Sequence, residues 1–451
     1  MKRILTVISI ILTAASCNLA SVAGIIDPSA PLEMESIVEA TFSIALNGQA
    51  YPVEGKEIRV SDLNGSASFS AYTDSKGEAR MILPAGIYEA SVSFQIKENN
   101  ATLLVNGLKP SFEITTKGEN NIPIEVVLSR QSPLLIKEIY NGGCQKDDGS
   151  GSWENDTYIV LYNNSAEEVD ASNICITTVG MNSQGNEIET FLVNGQLSVA
   201  KEGFIPAWQA VWKFNRKVVI PPYSQIVIAA FSAIDHTQTF SNSVNLANGD
   251  YFAMYHPEIG FDHTKYSVPS NLISTDNYLK ASRFDQTEST AWVLSATSPA
   301  LFIFEKENVH DYVTNIENQD KRAGVFGGAK IPFEWIVDGV EIFTRGMDED
   351  NTKRFTDHID AGNVQLTIRY GHSVYRNVDK EATEAIEGNK GKLVYGYAGG
   401  TKDYNVTGGT TDPSGIDAEK SMANGAKIVY KDTNNSTNDF HERNFASLTG
   451  R

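Results

Sequence analysis

Two short apolar runs, Leu134–Tyr140 (LLIKEIY) and 158–162 (YIVLY), flank a polar, glycine-rich loop, and this pairing constrains the fold more than any other feature. Runs this short, rich in Ile, Val and Tyr and bounded by Gly, Asn and Asp, read as buried strands rather than helices. Elsewhere the strand period is explicit. Val38, Ala40, Phe42, Ile44 and Leu46 alternate with polar neighbours, as do Tyr88, Ala90, Val92, Phe94 and Ile96, and again Ile122, Ile124, Val126 and Leu128. A period of two places one face of each strand in a core and the other toward water. Residues 58–60, 69–72, 81–83, 103–105 and 112–114 supply further short strands. The turn TDSKG at 73–77 offers Asp early and Gly late, as a tight reversal requires, and Pro84-Ala85-Gly86 gives a second one. The expected fold is all-β.

The N-terminus reads MKRILTVISIILTAASC. Lys2 and Arg3 precede an apolar segment too short to span a bilayer, which needs about 20 residues. Two readings fit. In one, residues 1–16 are a lipoprotein signal and Cys17 takes a diacylglycerol; Ala14 then stands where Leu is commoner. In the other, an ordinary signal peptidase cuts after Ala14-x-Ser16. Residues 17–35, with Pro28 and Pro31, read as a tether. No later segment approaches transmembrane length. The chain has three cysteines. With Cys17 lipidated, Cys144 and Cys175 remain, and they either pair or sit apart as buried thiols.

A length of 451 residues implies two or three domains, and an apolar share of 41% is enough for real cores. A net charge of -19 argues against nucleic acid as a partner, because phosphate binding needs a basic patch. Enzyme signatures are missing: no Gly-x-Ser-x-Gly elbow, His-Glu-x-x-His, Walker loop or dinucleotide glycine motif occurs. The acidic residues are too many for any carboxylate pair to stand out. No cofactor is expected. The best metal candidate is the stretch holding His256, Glu258, Asp262 and His263, with His236 approaching in space. Imidazole and carboxylate suit Zn or Fe, and a His with Tyr255 or Tyr266 suits haem, but the spacing matches no known helical or knuckle site, and a solvated polar loop is the simpler reading. Asp432, Asn434, Ser436 and Asn438 alternate like the start of a Ca loop, without its Gly and its final Glu. An Asx-rich turn accounts for them as well. In FIPAWQAVWKF (204–214), Trp208 and Trp212 share a face if that stretch is helical, and they form either insertion packing or an exposed partner-binding patch.

Two resemblances extend this reading. Thr-Asp-x-x-Gly-x-Ala followed by Leu-Pro-x-Gly-x-Tyr, within residues 36–131, resembles the carboxypeptidase-regulatory or prealbumin-like sandwich, which implies a spacer or platform. Within 132–451, the strand ending Glu138-Ile139, the run DTYIVLYN at 156–163, Val169-Asp170, and Pro222-Tyr223 ahead of residues 225–230 resemble a lamin-tail-type domain, with Tyr223 where Gly is commoner. Residues 373–377 and 428–440 resemble its closing strands, which makes 380–421 an insertion. The two resemblances together imply two immunoglobulin-like β-sandwich domains, the second carrying long insertions and a few short helices. Taken whole, the chain resembles an uncharacterised lipoprotein family of Bacteroidota (domain of unknown function 4876). That resemblance implies a lipid-anchored outer-membrane protein, at the cell surface or the periplasmic face. It implies a non-catalytic binding or accessory role beside a TonB-dependent outer-membrane transporter. The alternatives are a metal- or haem-uptake lipoprotein, a surface adhesin or glycan binder using Trp208 and Trp212, and a hydrolase with scattered catalytic residues.

Overall fold

A computed structural model describes residues 37–449, apart from 64–66, 99–100, 131, 182, 185, 194–195, 260–266, 285–291, 293, 323–327, 348–350 and 358. The signal segment, Cys17 and the tether therefore lie outside the described residues, as do Asp262 and His263. The chain divides into two compact units, residues 1–130 and 131–451. Both are built from β-strands with a few short helices. No helix among the described residues is long and apolar enough to cross a membrane.

The first unit contains β1 (Ile37–Leu46), β2 (Gln49–Ala50), β3 (Glu57–Asp62), β4 (Ser68–Tyr72), β5 (Glu78–Pro84), β6 (Gly86–Glu98), β7 (Ala101–Ile114) and β8 (Asn120–Arg130). Their spatial order is β2-β1-β8-β7-β6-β3-β4, and β5 also pairs with β1, along Ile37–Ser43. The alternating residues do face one core: Phe42, Ile44, Val60, Leu83, Tyr88 and Ile124 are all buried. At the first predicted turn, Gly77 has φ +79, and a Cβ there would lie 2.5 Å from the Tyr51 carbonyl oxygen. Gly86 serves differently. Its φ is not positive, and its hydrogen leaves room for the Tyr88 ring, whose hydroxyl donates to the Pro84 carbonyl at 2.9 Å.

The second unit holds two six-stranded sheets. The first runs Phe252–Ala253, Gln225–Ala229, Tyr158–Asn163, Leu134–Tyr140, Ser373–Arg376, Phe440–Arg443. The second runs Lys280–Arg283, Ala210–Lys213, Ile174–Thr178, Ala300–Glu305, Ile336–Thr344, Val364–Leu366. Ile136, Ile139, Ile159 and Leu161 of the first meet Ile176, Trp212, Leu301 and Val340 of the second in a shared core. The outer faces are covered too. Val244, Leu246 and Ile273 pack on Tyr140, Tyr158 and Val227, and Ile416, Ile428 and Tyr430 pack on Leu135, Tyr162 and Tyr375. Across the molecule, Phe191, Val199, Ile205 and Ile331 seal Phe302 and Phe304. Strands buried on both faces cannot show period two, which is why Leu134–Tyr140 and Tyr158–Asn163 are buried at every position.

Tyr223 adopts φ 51 at the hairpin where glycine is commoner, so a bulky residue accepts the left-handed backbone there. The stretch 204–214 is not helical. Phe204–Trp208 and Ala210–Lys213 are strands that run on in one direction, kinked at Gln209 with φ 52. Residues 380–421 supply no strand to either six-stranded sheet and hold the short helices Lys380–Glu384 and Ala418–Ala423.

Candidate functional site

Among the described residues singled out for metal chemistry, His236, His256 and Glu258 do not form a metal-holding group. His236 is 1% exposed, and both ring nitrogens are engaged: Nδ1 accepts from the Trp153 indole at 3.1 Å, so Nε2 carries the proton and donates to the Ser232 carbonyl at 2.9 Å. Burial holds its pKa below the usual histidine range. No lone pair is left for a metal. His256 accepts the Ala281 amide on Nδ1 at 3.1 Å, and its Nε2 is 3.9 Å from the exposed Glu258. Among the described residues, no three His, Cys, Asp or Glu side chains form a metal-holding group.

The thiols are free and buried rather than paired. Cys175 belongs to the cluster covering the outer face of the second sheet, and its Sγ lies 3.6 Å and 3.7 Å from the carbonyls of Asn173 and Lys306. Cys144 pairs with Trp153 in a two-stranded ribbon beside Asp156. Burial pushes each thiol up to about 12, which leaves neither as a thiolate nucleophile.

The tryptophan patch is also overturned. Trp212 is fully buried and meets Trp292 edge to face, with centroids 6.1 Å apart, while Trp208 is half-buried against the same core. Facing in from a strand, Trp212 has no solvent side.

The proposed Ca loop is an Asx-rich turn organised around protein cations and backbone. Asp439 accepts from the Thr433 and Asn435 amides at 2.7 Å and 3.3 Å, and Asn435 caps the short helix Ser436–Asp439. Ser436 points away and gives its amide and hydroxyl to Asp360, each at 2.6 Å. The charge that a metal would have supplied comes from Arg376. Its guanidinium lies 2.5 Å from Asp338, 3.5 Å from Asp432 and 3.8 Å from Asp439.

This arginine joins the two sheets. Asp338 extends from the second sheet to accept the Ile136 amide at 2.7 Å, while Arg376 Nε donates to the Ile136 carbonyl at 2.7 Å. Each sheet carries a β-bulge here. Lys137 is the extra residue against Val160/Leu161, and Val337 is the extra residue against Ile303/Phe304. A bulge removes one backbone pair from the ladder and re-aims its neighbours. Ile136 thereby finds side-chain partners in place of strand partners.

Further buried charges bind the insertions to the first sheet. Lys137 Nζ, with no exposed side-chain surface, bonds Glu419 at 2.7 Å and Gln225 at 2.6 Å under the rings of Tyr375 and Tyr430. Glu138 receives Ser373 at 2.7 Å and the Ser447 amide at 2.9 Å, which fixes the C-terminal tail. Glu442 accepts from His372 at 2.9 Å, the Thr367 amide at 2.6 Å, Arg345 at 2.5 Å and Thr401 at 3.0 Å. Burial alone would raise its pKa, but the His372 and Thr367 bonds and the Arg345 charge hold it down to about 2. His441 is pushed down to about 3 by burial and then by Arg443, so it stays neutral between Tyr397 at 2.7 Å and Asn377 at 2.8 Å. These groups cross-link segments far apart in sequence. Sequence reasoning passed over them, although Lys137, Glu138 and Arg376 inside otherwise apolar runs were the available signal.

One concave feature is open to solvent in the 380–395 insertion, an open groove of about 560 Å³ beside Glu384, Ile386 and Tyr395.

No curated protein matches the chain. Among solved structures, a DUF4876 family protein from Bacteroides thetaiotaomicron VPI-5482 is similar over 90% of this chain and 94% of that one, at 20% identity and TM-score 0.45. A DUF3823 family protein from Parabacteroides merdae ATCC 43184 is similar over 41% of this chain and 91% of its own, at 9% identity and TM-score 0.16. A DUF3823 family protein from Bacteroides ovatus ATCC 8483 covers 41% and 98%, at 12% identity and TM-score 0.15. Within the second unit, residues 221–394, less than half the chain, match the model of the family described as "Protein of unknown function (DUF4876)".

Proposed function

We propose that this chain is an envelope lipoprotein, held at the outer membrane through Cys17, that acts as a non-catalytic binding or accessory module beside a TonB-dependent outer-membrane transporter. The observation that carries the reading is how the fold uses its charge. Arg376, Lys137, Glu138 and Glu442 hold the molecule's own sheets, tail and insertions together, and they do not converge on an open cleft. A scaffold stiffened in this way suits the presentation of a fixed surface. The sequence before the first strand at Ile37 suits tethering. Such a tether keeps the module at an effective concentration on the order of millimolar near a membrane partner.

The test is co-purification from native membranes. An outer-membrane barrel of the TonB-dependent class should be recovered with the wild-type chain. With Cys17→Ala the chain should leave the membrane fraction and the barrel should be lost. Repeated recovery of the anchored chain without any such barrel counts against the reading.

A further inference from the structure

The groove within the insertion is lined by Glu384, Ile386, Glu387, Asn389, Lys390 and Tyr395, with Leu393. Many large side chains of the insertions turn inward to cover the sheets, among them Ile416, Ile428 and Tyr430. Here Tyr395 is 55% exposed, and its hydroxyl is fixed by a 2.8 Å bond to Glu384. Ile386 and Leu393 are half-buried in the groove, and Glu387 and Lys390 are exposed along it. Asn389 beneath is buried and fully engaged, accepting the Lys427 amide at 2.7 Å and donating to the carbonyls of Thr383 at 2.8 Å and Lys427 at 2.7 Å. The floor is therefore rigid, and the groups left for a ligand are the Tyr395 ring, the two apolar side chains, the carboxylates and the amine.

The charges narrow the ligand class. Glu384 and Glu387 accept only, and they repel a phosphate or an acidic peptide. Lys390, together with Lys380 6.0 Å from the centre of the Tyr395 ring, donates only and repels a polycation. A ligand that satisfies both rims must donate and accept along its whole length while carrying no net charge. Hydroxyl groups do this. A pyranose also offers an apolar C–H face, which matches an exposed aromatic ring. The volume lies within the range of ordinary ligand sites, about 300–1,000 Å³.

We propose that this groove binds a short neutral oligosaccharide, one sugar ring stacking on Tyr395 and neighbouring hydroxyls bonding to Glu384, Glu387 and Lys390. The site goes beyond the transporter reading and does not depend on it. It also differs from the tryptophan patch, which the fold buries.

The test uses the folded ectodomain on an array of neutral, acidic and amino oligosaccharides, with titration calorimetry on any glycan retained. Neutral glycans should be retained, and Tyr395→Ala should weaken binding by roughly tenfold or more. Tyr395→Phe should keep most of it, because stacking survives without the hydroxyl. Tyr72→Ala removes another exposed tyrosine, 66% accessible in the first unit, and should change nothing. Since Tyr395 is exposed, unchanged thermal melting will separate lost binding from lost folding. Retention of charged glycans alone, no retention of neutral ones, or binding indifferent to Tyr395→Ala overturns the proposal. Failure to recover a transporter leaves it standing.

Discussion

Arg376→Met is expected to destabilise the second unit by about 3–5 kcal/mol, the cost of breaking a buried ion pair from one side. The guanidinium is 1% exposed and sits over the Phe440 ring at 4.3 Å, so methionine can fill much of the volume. It cannot replace the charge facing Asp338, Asp432 and Asp439, nor the bonds to the carbonyls of Ile136 and Lys431. Three carboxylates are left with their shared cation gone. Arg376→Lys should recover only part of the loss, because one ammonium cannot reach two carbonyls and Asp338 in the geometry of a planar fork. Asp338→Asn should cost less than Arg376→Met, since Arg376 keeps Asp432 and Asp439. Urea unfolding of the three variants beside wild type gives the ranking. A loss below about 1 kcal/mol for Arg376→Met, the range of a surface ion pair, contradicts the cross-link between sheets.

The second large effect depends on pH. Glu442 has no exposed side-chain surface, and its folded pKa lies at about 2 against 4.5 for the free group. A carboxylate depressed on folding adds stability that is present above the unfolded pKa and is lost as pH falls toward the folded one. At about 1.4 kcal/mol per unit, the carboxylate contributes roughly 3 kcal/mol at neutral pH. Glu442→Gln should therefore be about 3 kcal/mol less stable than wild type at pH 7. The gap should close across the window from about 4.5 down to 2. The gap between the two denaturation midpoints, followed with pH, is the readout. A gap that stays constant to pH 2.5 would assign the loss to packing instead of charge.

These buried charges also show where the sequence could be read and where it could not. The first unit was legible because its core is one-sided: Phe42, Val92 and Ile124 alternate with exposed residues, and the spacing reports the strand directly. In the second unit the strands were legible as unbroken apolar runs, but not what covered them. Both faces are buried, so Lys137 and Glu138 gave no sign of direction. Their partners Glu419 and Ser447 lie about three hundred residues away along the chain. The tryptophans misled because a spacing of four fits a helix, whereas the chain runs extended in one direction through both, kinked at Gln209 in the left-handed region. The oxygen-rich run 432–439 offered the right atoms for a cation, and it does gather around one. That cation is Arg376, supplied from another strand. Local composition carried the chemistry of these sites, and long-range pairing decided who satisfies it.

The proposal that one sulfur, that of Cys17, fastens the chain to a membrane is tested most directly by the mass of the mature N-terminal peptide. Purified from the native host and digested, the chain should yield an N-terminal peptide that begins at Cys17 and carries a thioether-linked diacylglycerol. A first peptide that begins at Cys17 or beyond without acyl groups, from a chain recovered in the soluble fraction, contradicts it.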